Sequence, residues 1–218
     1  MLETIYRRDS FPREADFILS FKDRLRDEFL LYHPDFIDGL FEKGIPVDQI
    51  TINGASQFAT PSAWKTTPIK YQYDTKNVTI DSEVAQFFDA AISLTNYYGD
   101  DCCVSGYSII ESNSTINRHI DIENETGEYV RVHLPLIIPD GEVFLEVAGE
   151  IVYWNDIFAF NHQIAHSAYN CTPHRRLIFL MDIRRSRLGL PPGQPYNEIR
   201  DKLNIPPFVF DMKVGLND

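Results

Sequence analysis

Residues 129–138, YVRVHLPLII, form a short run rich in Val, Ile and Leu, with the polar Arg131 and His133 set two apart. Runs of the same texture lie on both sides: VSGYSIIES (104–112), VFLEVAGEIVYW (143–154), IFAFN (157–161) and RRLIFLMDI (175–183). Gly, Asp, Asn and Pro separate them. Short β-branched and aromatic runs at this spacing predict an antiparallel sandwich or barrel. Within 143–154 the alternation continues on both sides of Ala148-Gly149, which marks a hairpin.

The first hundred residues read as mainly helical. In FPREADFILSFKDRLRDEFLLY (11–32), Phe17, Phe21, Leu25 and Phe29 recur every four residues between charges, as on an amphipathic helix. Pro34 ends it, and 35–41 is expected as a short second helix. The stretch 51–74 is turn-rich and β-like only from Ile69 to Tyr73. DSEVAQFFDAAISLTNYYGDD (81–101) reads as a capped helix to about Tyr98 that stops at Gly99. After Arg187 the chain carries Leu190-Pro191-Pro192-Gly193 and Pro206-Pro207 and is expected to wrap the body, with a short helix around 197–203. No repeat or low-complexity linker divides the chain. The expectation is one domain over 1–218, with helical support in 1–100, a β core in 104–183 and a wrap over 188–218.

Composition narrows the function classes. A formal net charge of −12, with no Lys/Arg stripe, argues against nucleic acid as a partner. No apolar run reaches the roughly 18 residues of a membrane span, so no membrane partner is expected. MLETIYRRDSFPRE lacks the apolar core of a signal peptide, and a cytoplasmic location is the resulting expectation. The adjacent Cys102 and Cys103 and the isolated Cys171 fit neither a disulfide framework nor a zinc site. Oligomeric state is left open.

The stretch just before the opening run, NRHIDI (117–122), contains an H-x-D triplet. Six histidines and nineteen aspartates supply about half of one such triplet by chance, and the chain has two. His33-Pro34-Asp35 closes a helix at a proline and reads as structural, with Asp35 a helix cap. His119 and Asp121 lie where the chain turns into sheet, and extended backbone puts both on one face. A third ligand must come from a neighbouring strand, and 157–170 offers His162 and His166. Two histidines and one carboxylate on one face of an octahedron leave three open positions, as in non-haem Fe(II) oxygenases. Structural zinc instead closes its shell with four protein ligands. An oxygenase using 2-oxoglutarate also needs a fixed cation for the far carboxylate, and Arg176 stands ten residues past His166.

These blocks resemble the aspartyl/asparaginyl β-hydroxylase family of Fe(II)- and 2-oxoglutarate-dependent oxygenases, which includes bacterial cis-proline hydroxylases. The matching residues are HID (119–121), RVHLPL (131–136), FNHQIAHSAYN (160–170) and RLIFLMDI (176–183), in the family's order. They span roughly a third of the chain. The resemblance implies an α+β chain with a double-stranded β-helix (jelly-roll, cupin-like) core and helices from the N-terminal half packed on it. It implies His119, Asp121 and His166 as ligands of Fe(II), with His162 a pocket residue. Arg176 would hold the C5 carboxylate of 2-oxoglutarate, with Ser108, Arg131, His133 and Trp64 as further cosubstrate contacts.

Two positions depart from the family pattern. Mammalian aspartyl hydroxylases have glycine where Asp121 stands, so the chain looks more like bacterial amino-acid hydroxylases that keep three ligands. The family's F-D is Phe160-Asn161 here. The implied reaction consumes O2 and 2-oxoglutarate, releases succinate and CO2, and hydroxylates an amino acid, free or within a polypeptide. A carboxylate ligand, which frees no position for halide, favours hydroxylation over halogenation. The competing reading is a cupin-like protein that binds metal or small molecules without turnover, in which Arg176 has no purpose. A zinc-dependent hydrolase leaves Arg176 equally unexplained.

Overall fold

The computed structural model describes residues 4–37, 45–46, 63–73, 76–80, 82–121 and 126–195. In chain order these form β1 (Ile5–Arg7), α1 (Pro12–Leu19), α2 (Lys22–Tyr32), β2 (Ile45–Pro46), β3 (Trp64–Tyr73), β4 (Lys76–Thr79), α3 (Ser82–Ala85) and α4 (Asp89–Tyr98). The β-rich part follows as β5 (Cys102–Ile110), β6 (Ser114–His119), β7 (Tyr129–Ile137) and β8 (Val143–Val147). It continues through β9 (Glu150–Tyr153), β10 (Phe158–Phe160), β11 (His166–Asn170) and β12 (Arg176–Arg184).

From β5 onward the chain crosses back and forth between two antiparallel sheets. Strands β5, β7, β10 and β12 lie in the larger sheet, ordered β1-β10-β7-β12-β5-β3-β2, with β4 beside β3. Strands β6, β8, β9 and β11 make the smaller one, ordered β6-β11-β8-β9. This eight-strand arrangement is a double-stranded β-helix, the jelly roll of the cupin type.

Period-2 alternation sorts the side chains. On β12, Leu177, Phe179, Met181 and Ile183 point outward into a core shared with the helices, as do Val130, Val132, Leu134 and Leu136 of β7. The same core takes Ala15 and Ile18 of α1, Leu25 and Phe29 of α2, and Leu94 and Tyr98 of α4. The alternate residues Ile178 and Leu180 join Val143, Leu145, Val147, Trp154, Phe158 and Phe160 between the two sheets. Arg176 and Asp182 on β12, and Arg131 and His133 on β7, share this inner parity. The polar candidates therefore project into the space between the sheets.

Three elements differ from expectation. The helix over 11–32 is two, parted at Ser20-Phe21, where the Ser20 hydroxyl donates to the Phe17 carbonyl at 2.6 Å and competes with the backbone ladder. The helix over 81–98 is also two. Glu28 of α2 accepts from the Ala90 and Ala91 amides at 2.8 and 2.9 Å, so the second begins at a cap borrowed from another helix. Strand β3 starts at Trp64 rather than Ile69, and with β1 and β4 it makes the first hundred residues a mixed α and β segment.

Two other readings match what is seen. Ala148 and Gly149, at φ 52° and 87°, turn the β8–β9 hairpin in the left-handed conformation that tightly joined strands favour. His33 is buried at the end of α2 against Phe29 and Tyr32. None of the three cysteines forms a disulfide; Cys102 and Cys103 are buried and Cys171 is exposed. Among the described residues no helix is long and apolar enough to cross a membrane. Most of the expected second helix (38–41 of 35–41), the expected helix at 197–203 and the tail beyond 195 lie outside the described residues.

Candidate metal centre

Strand β6 ends at His119 and β11 begins at His166, and the two residues are partners in the register of the smaller sheet. Their rings lie 4.2 Å apart, centroid to centroid. Asp121 follows β6 by two residues, and its amide donates to the His162 carbonyl at 3.0 Å, tying this turn to the one that precedes β11. Asp121 Oδ1 sits 3.7 Å from His119 Nε2, and its Oδ2 3.9 Å from His166 Nε2. One atom from each of the three residues falls within 4.8 Å of the others.

Protonation suits a cation at their centre. His119 Nδ1 donates to the Asn117 carbonyl at 2.7 Å, and His166 Nδ1 to the Ile164 carbonyl at 2.8 Å. Each bond places the proton on Nδ1 and leaves the Nε2 lone pair for a metal. Burial, followed by the neighbouring His119, pushes the His166 imidazole down to about 3, so it is neutral at neutral pH. Burial alone would raise Asp121, but the Arg131 guanidinium, helped by the adjacent histidines, holds its carboxyl well below the usual range. Two imidazoles with Nε2 available and one anionic carboxylate are the donor set of a facial metal triad.

Arg131 joins two acids. Its Nε and Nη2 donate to the two oxygens of Asp182, each at 2.7 Å, while Nη1 donates to Asp121 Oδ2. Asp182 is fully buried. His162 is fully buried too, with Nδ1 3.6 Å from Asp182, and burial pushes it down to about 4.

Between the sheets also lies a buried cation, Arg176. Arg176 is 1% exposed, and burial pushes it down to about 9. Its Nη1 donates to the Ser108 carbonyl at 3.3 Å, its Nε has no acceptor, and it lies 4.7 Å over the Trp154 ring. Among the described residues no carboxylate lies within ion-pair distance of it. Trp154 Nε1 donates to His133 Nδ1 at 3.1 Å, and His133, also buried, is held well below the usual histidine range by burial and by Arg176. Ser108 Oγ accepts from the Trp64 indole at 3.1 Å, and the Trp64 ring stands 5.9 Å from that of His119.

The model of the aspartyl/asparaginyl β-hydroxylase family matches residues 40–186. This chain belongs to that family. No curated protein matches the sequence. Among solved structures, an oxidoreductase of the 2OG-Fe(II) oxygenase family from Burkholderia pseudomallei is similar over 68% of this chain and 79% of its own, at 11% identity and a TM-score of 0.42. A prolyl hydroxylase from Trichoplax adhaerens, in complex with a hypoxia-inducible-factor peptide fragment, is similar over 78% and 80%, at 14% identity and a TM-score of 0.42. The cupin domain of a transcriptional regulator from Enterobacter cloacae aligns over 56% and 96%, at 10% identity and a TM-score of 0.34.

Within the β-hydroxylase family pattern, the structure brings His119, Asp121 and His166 together, and separately Arg176, Ser108, Trp64 and His133. Arg131, for which a cosubstrate contact is expected, directs Nε and Nη2 at Asp182 and Nη1 at Asp121. His162, whose ring lies beside Asp182, is not part of the three-ligand group.

The Asn161 departure is accommodated locally. Its Oδ1 accepts from the Gln163 amide at 3.2 Å, a bond the family's aspartate could also accept. Asn170 donates to the Ile110, Glu111 and His174 carbonyls and fastens the end of β11 to β5. Sequence reading missed Trp154 and the bracing role of Asp182. Asp182 lay inside a matched block, whereas only its being one of two tryptophans marked Trp154.

Proposed function

We propose that this β-hydroxylase family member is an Fe(II)- and 2-oxoglutarate-dependent dioxygenase that hydroxylates an amino acid, free or within a polypeptide. The residues fit both groups. His119, His166 and Asp121 would hold Fe(II), and Arg176 would hold the C5 carboxylate of 2-oxoglutarate. The Ser108 hydroxyl accepts from Trp64 and keeps its own proton to donate to that carboxylate. Iron, when bound, couples O2 reduction and decarboxylation of 2-oxoglutarate to hydroxylation of a C–H bond. The chain's own residues select protonation states, present a buried cation to the cosubstrate, and enclose the site between two sheets.

One observation carries this reading: Arg176 is buried, with no counter-ion among the described residues, in the same inter-sheet space as a facial His-Asp-His set. An isolated buried charge is costly, and a ligand carboxylate removes that cost with charge-assisted hydrogen bonds. A cupin-like binder or a zinc hydrolase has no use for such a cation.

Purified protein with Fe(II), 2-oxoglutarate and O2 is expected to release succinate slowly without substrate, and His119→Ala to reduce that release to background. Free proline, lysine, arginine, aspartate and asparagine, and peptides containing them, are then screened for added succinate. Wild-type protein that loads iron yet forms no succinate under any of these conditions refutes the proposal.

A further inference from the structure

We infer that Trp154 is a positioning residue of the anion pocket: one side chain holds the Arg176 guanidinium against its face and fixes the tautomer of His133 through its N–H. The inference rests on the 2-oxoglutarate reading of that pocket and assigns a role to a residue outside every matched motif.

The bland alternative is a core tryptophan, and Trp154 does pack among the apolar residues between the sheets. Its polar edge makes the difference. A buried indole N–H needs an acceptor, and here the acceptor is an imidazole nitrogen rather than a backbone carbonyl. Nδ1 of His133 can accept only when it carries no proton, so the neutral ring must carry its proton on Nε2. The two rings are 24° from parallel, with centroids 5.9 Å apart. Phe158 and Phe160 pack against the imidazole edge-on, at 5.4 and 5.0 Å, and limit its rotation. A carboxylate arriving between the sheets therefore meets a ring already set as a donor.

The other face of the argument is Arg176. With no carboxylate among the described residues to steady it, the guanidinium lies 4.7 Å over the indole ring. The ring quadrupole favours the cation there and fixes its plane before the anion arrives. Phenylalanine keeps much of this ring face and loses the N–H, while leucine loses both. The two functions can thus be separated by substitution.

The experiment pairs a tautomer measurement with a binding measurement. Long-range proton–nitrogen correlation spectra of histidine-15N protein are expected to show His133, assigned with a His133→Gln variant, in the Nε2–H form. Trp154→Phe is expected to lose that single tautomer and to weaken 2-oxoglutarate binding by about five- to tenfold, as loss of one buried hydrogen bond implies. Binding is read by equilibrium dialysis on Mn(II)-loaded protein. Trp154→Leu is expected to weaken binding further, with Mn(II) affinity unchanged in both variants.

Wild-type His133 found as the Nδ1–H form or as imidazolium overturns the inference even if neither variant folds. So does a folded Trp154→Phe that binds 2-oxoglutarate as wild type does. Wild-type protein that binds Mn(II) but no 2-oxoglutarate instead overturns the pocket reading on which the inference rests.

Discussion

At Arg176, a guanidinium 1% exposed with no carboxylate near it among the described residues, stability and binding make opposite demands. Desolvating one charge costs the ligand-free fold several kcal/mol. Arg176→Met is therefore expected to leave the urea midpoint of metal-free protein equal to or above wild type. The same substitution is expected to weaken 2-oxoglutarate binding about 100-fold, since it removes charge-assisted hydrogen bonds of about 1.5–3 kcal/mol each. Denaturation curves and equilibrium dialysis on one preparation check both, and a large loss of stability with unchanged binding contradicts the assignment.

His162 sets a pH dependence. Its folded-state pKa is pushed down to about 4, against about 6.5 in an unfolded chain. Between those values the unfolded chain binds a proton that the native state refuses, so stability falls as pH is lowered through that window. One such group contributes up to about 1.4 kcal/mol per pH unit. His162→Leu is expected to flatten the dependence of the urea midpoint between pH 6.5 and 4 by about one proton; an unchanged slope counts against a neutral buried imidazole. At this scale, residue spacing showed His119, Asp121 and a histidine on a following strand. Choosing His166 over His162 depended on family resemblance, because both lie in one short segment and only strand register separates them.

At the scale of elements, alternation and turn residues made most of the jelly-roll strands legible, including the turn at Ala148-Gly149. The misses have tertiary causes. Glu28 caps α4 by accepting from Ala90, 62 residues away in sequence, which no local pattern reveals. The first half of strand β3 was hidden by Pro68, which lies beside a register shift against β5 where the missing amide is tolerated.

Opposite Pro68 stands Gly106, where a Cβ would lie 2.8 Å from the Thr67 carbonyl oxygen and 3.0 Å from Pro68 Cα. Backbone would have to move, and β3 carries Trp64 while β5 carries Ser108. Gly106→Ala is expected to cost about 1–3 kcal/mol in urea unfolding, as overpacking does. It is also expected to weaken 2-oxoglutarate binding several-fold, though it touches no candidate ligand. A neutral effect on both would mean that the β3–β5 contact does not position the pocket.

On the scale of the whole molecule, the larger sheet serves two cores at once. Its outer face packs the helices, and its inner face carries Arg176, His133, Arg131 and Asp182. The smaller sheet supplies His119 and His166 from paired strands. A charge of −12 and strand texture made the broad class readable, but the meeting of residues from β5, β6, β7, β11 and β12 is a property of topology.

The central claim is that the His-Asp-His set and Arg176 serve one bidentate cosubstrate. Its most direct test is the visible spectrum of anaerobic protein with Fe(II), before and after 2-oxoglutarate. A weak charge-transfer band is expected on adding 2-oxoglutarate to wild type, and it is expected to be absent in His119→Ala and in Arg176→Ala. Iron-loaded wild-type protein whose spectrum does not change when 2-oxoglutarate is added would contradict the claim.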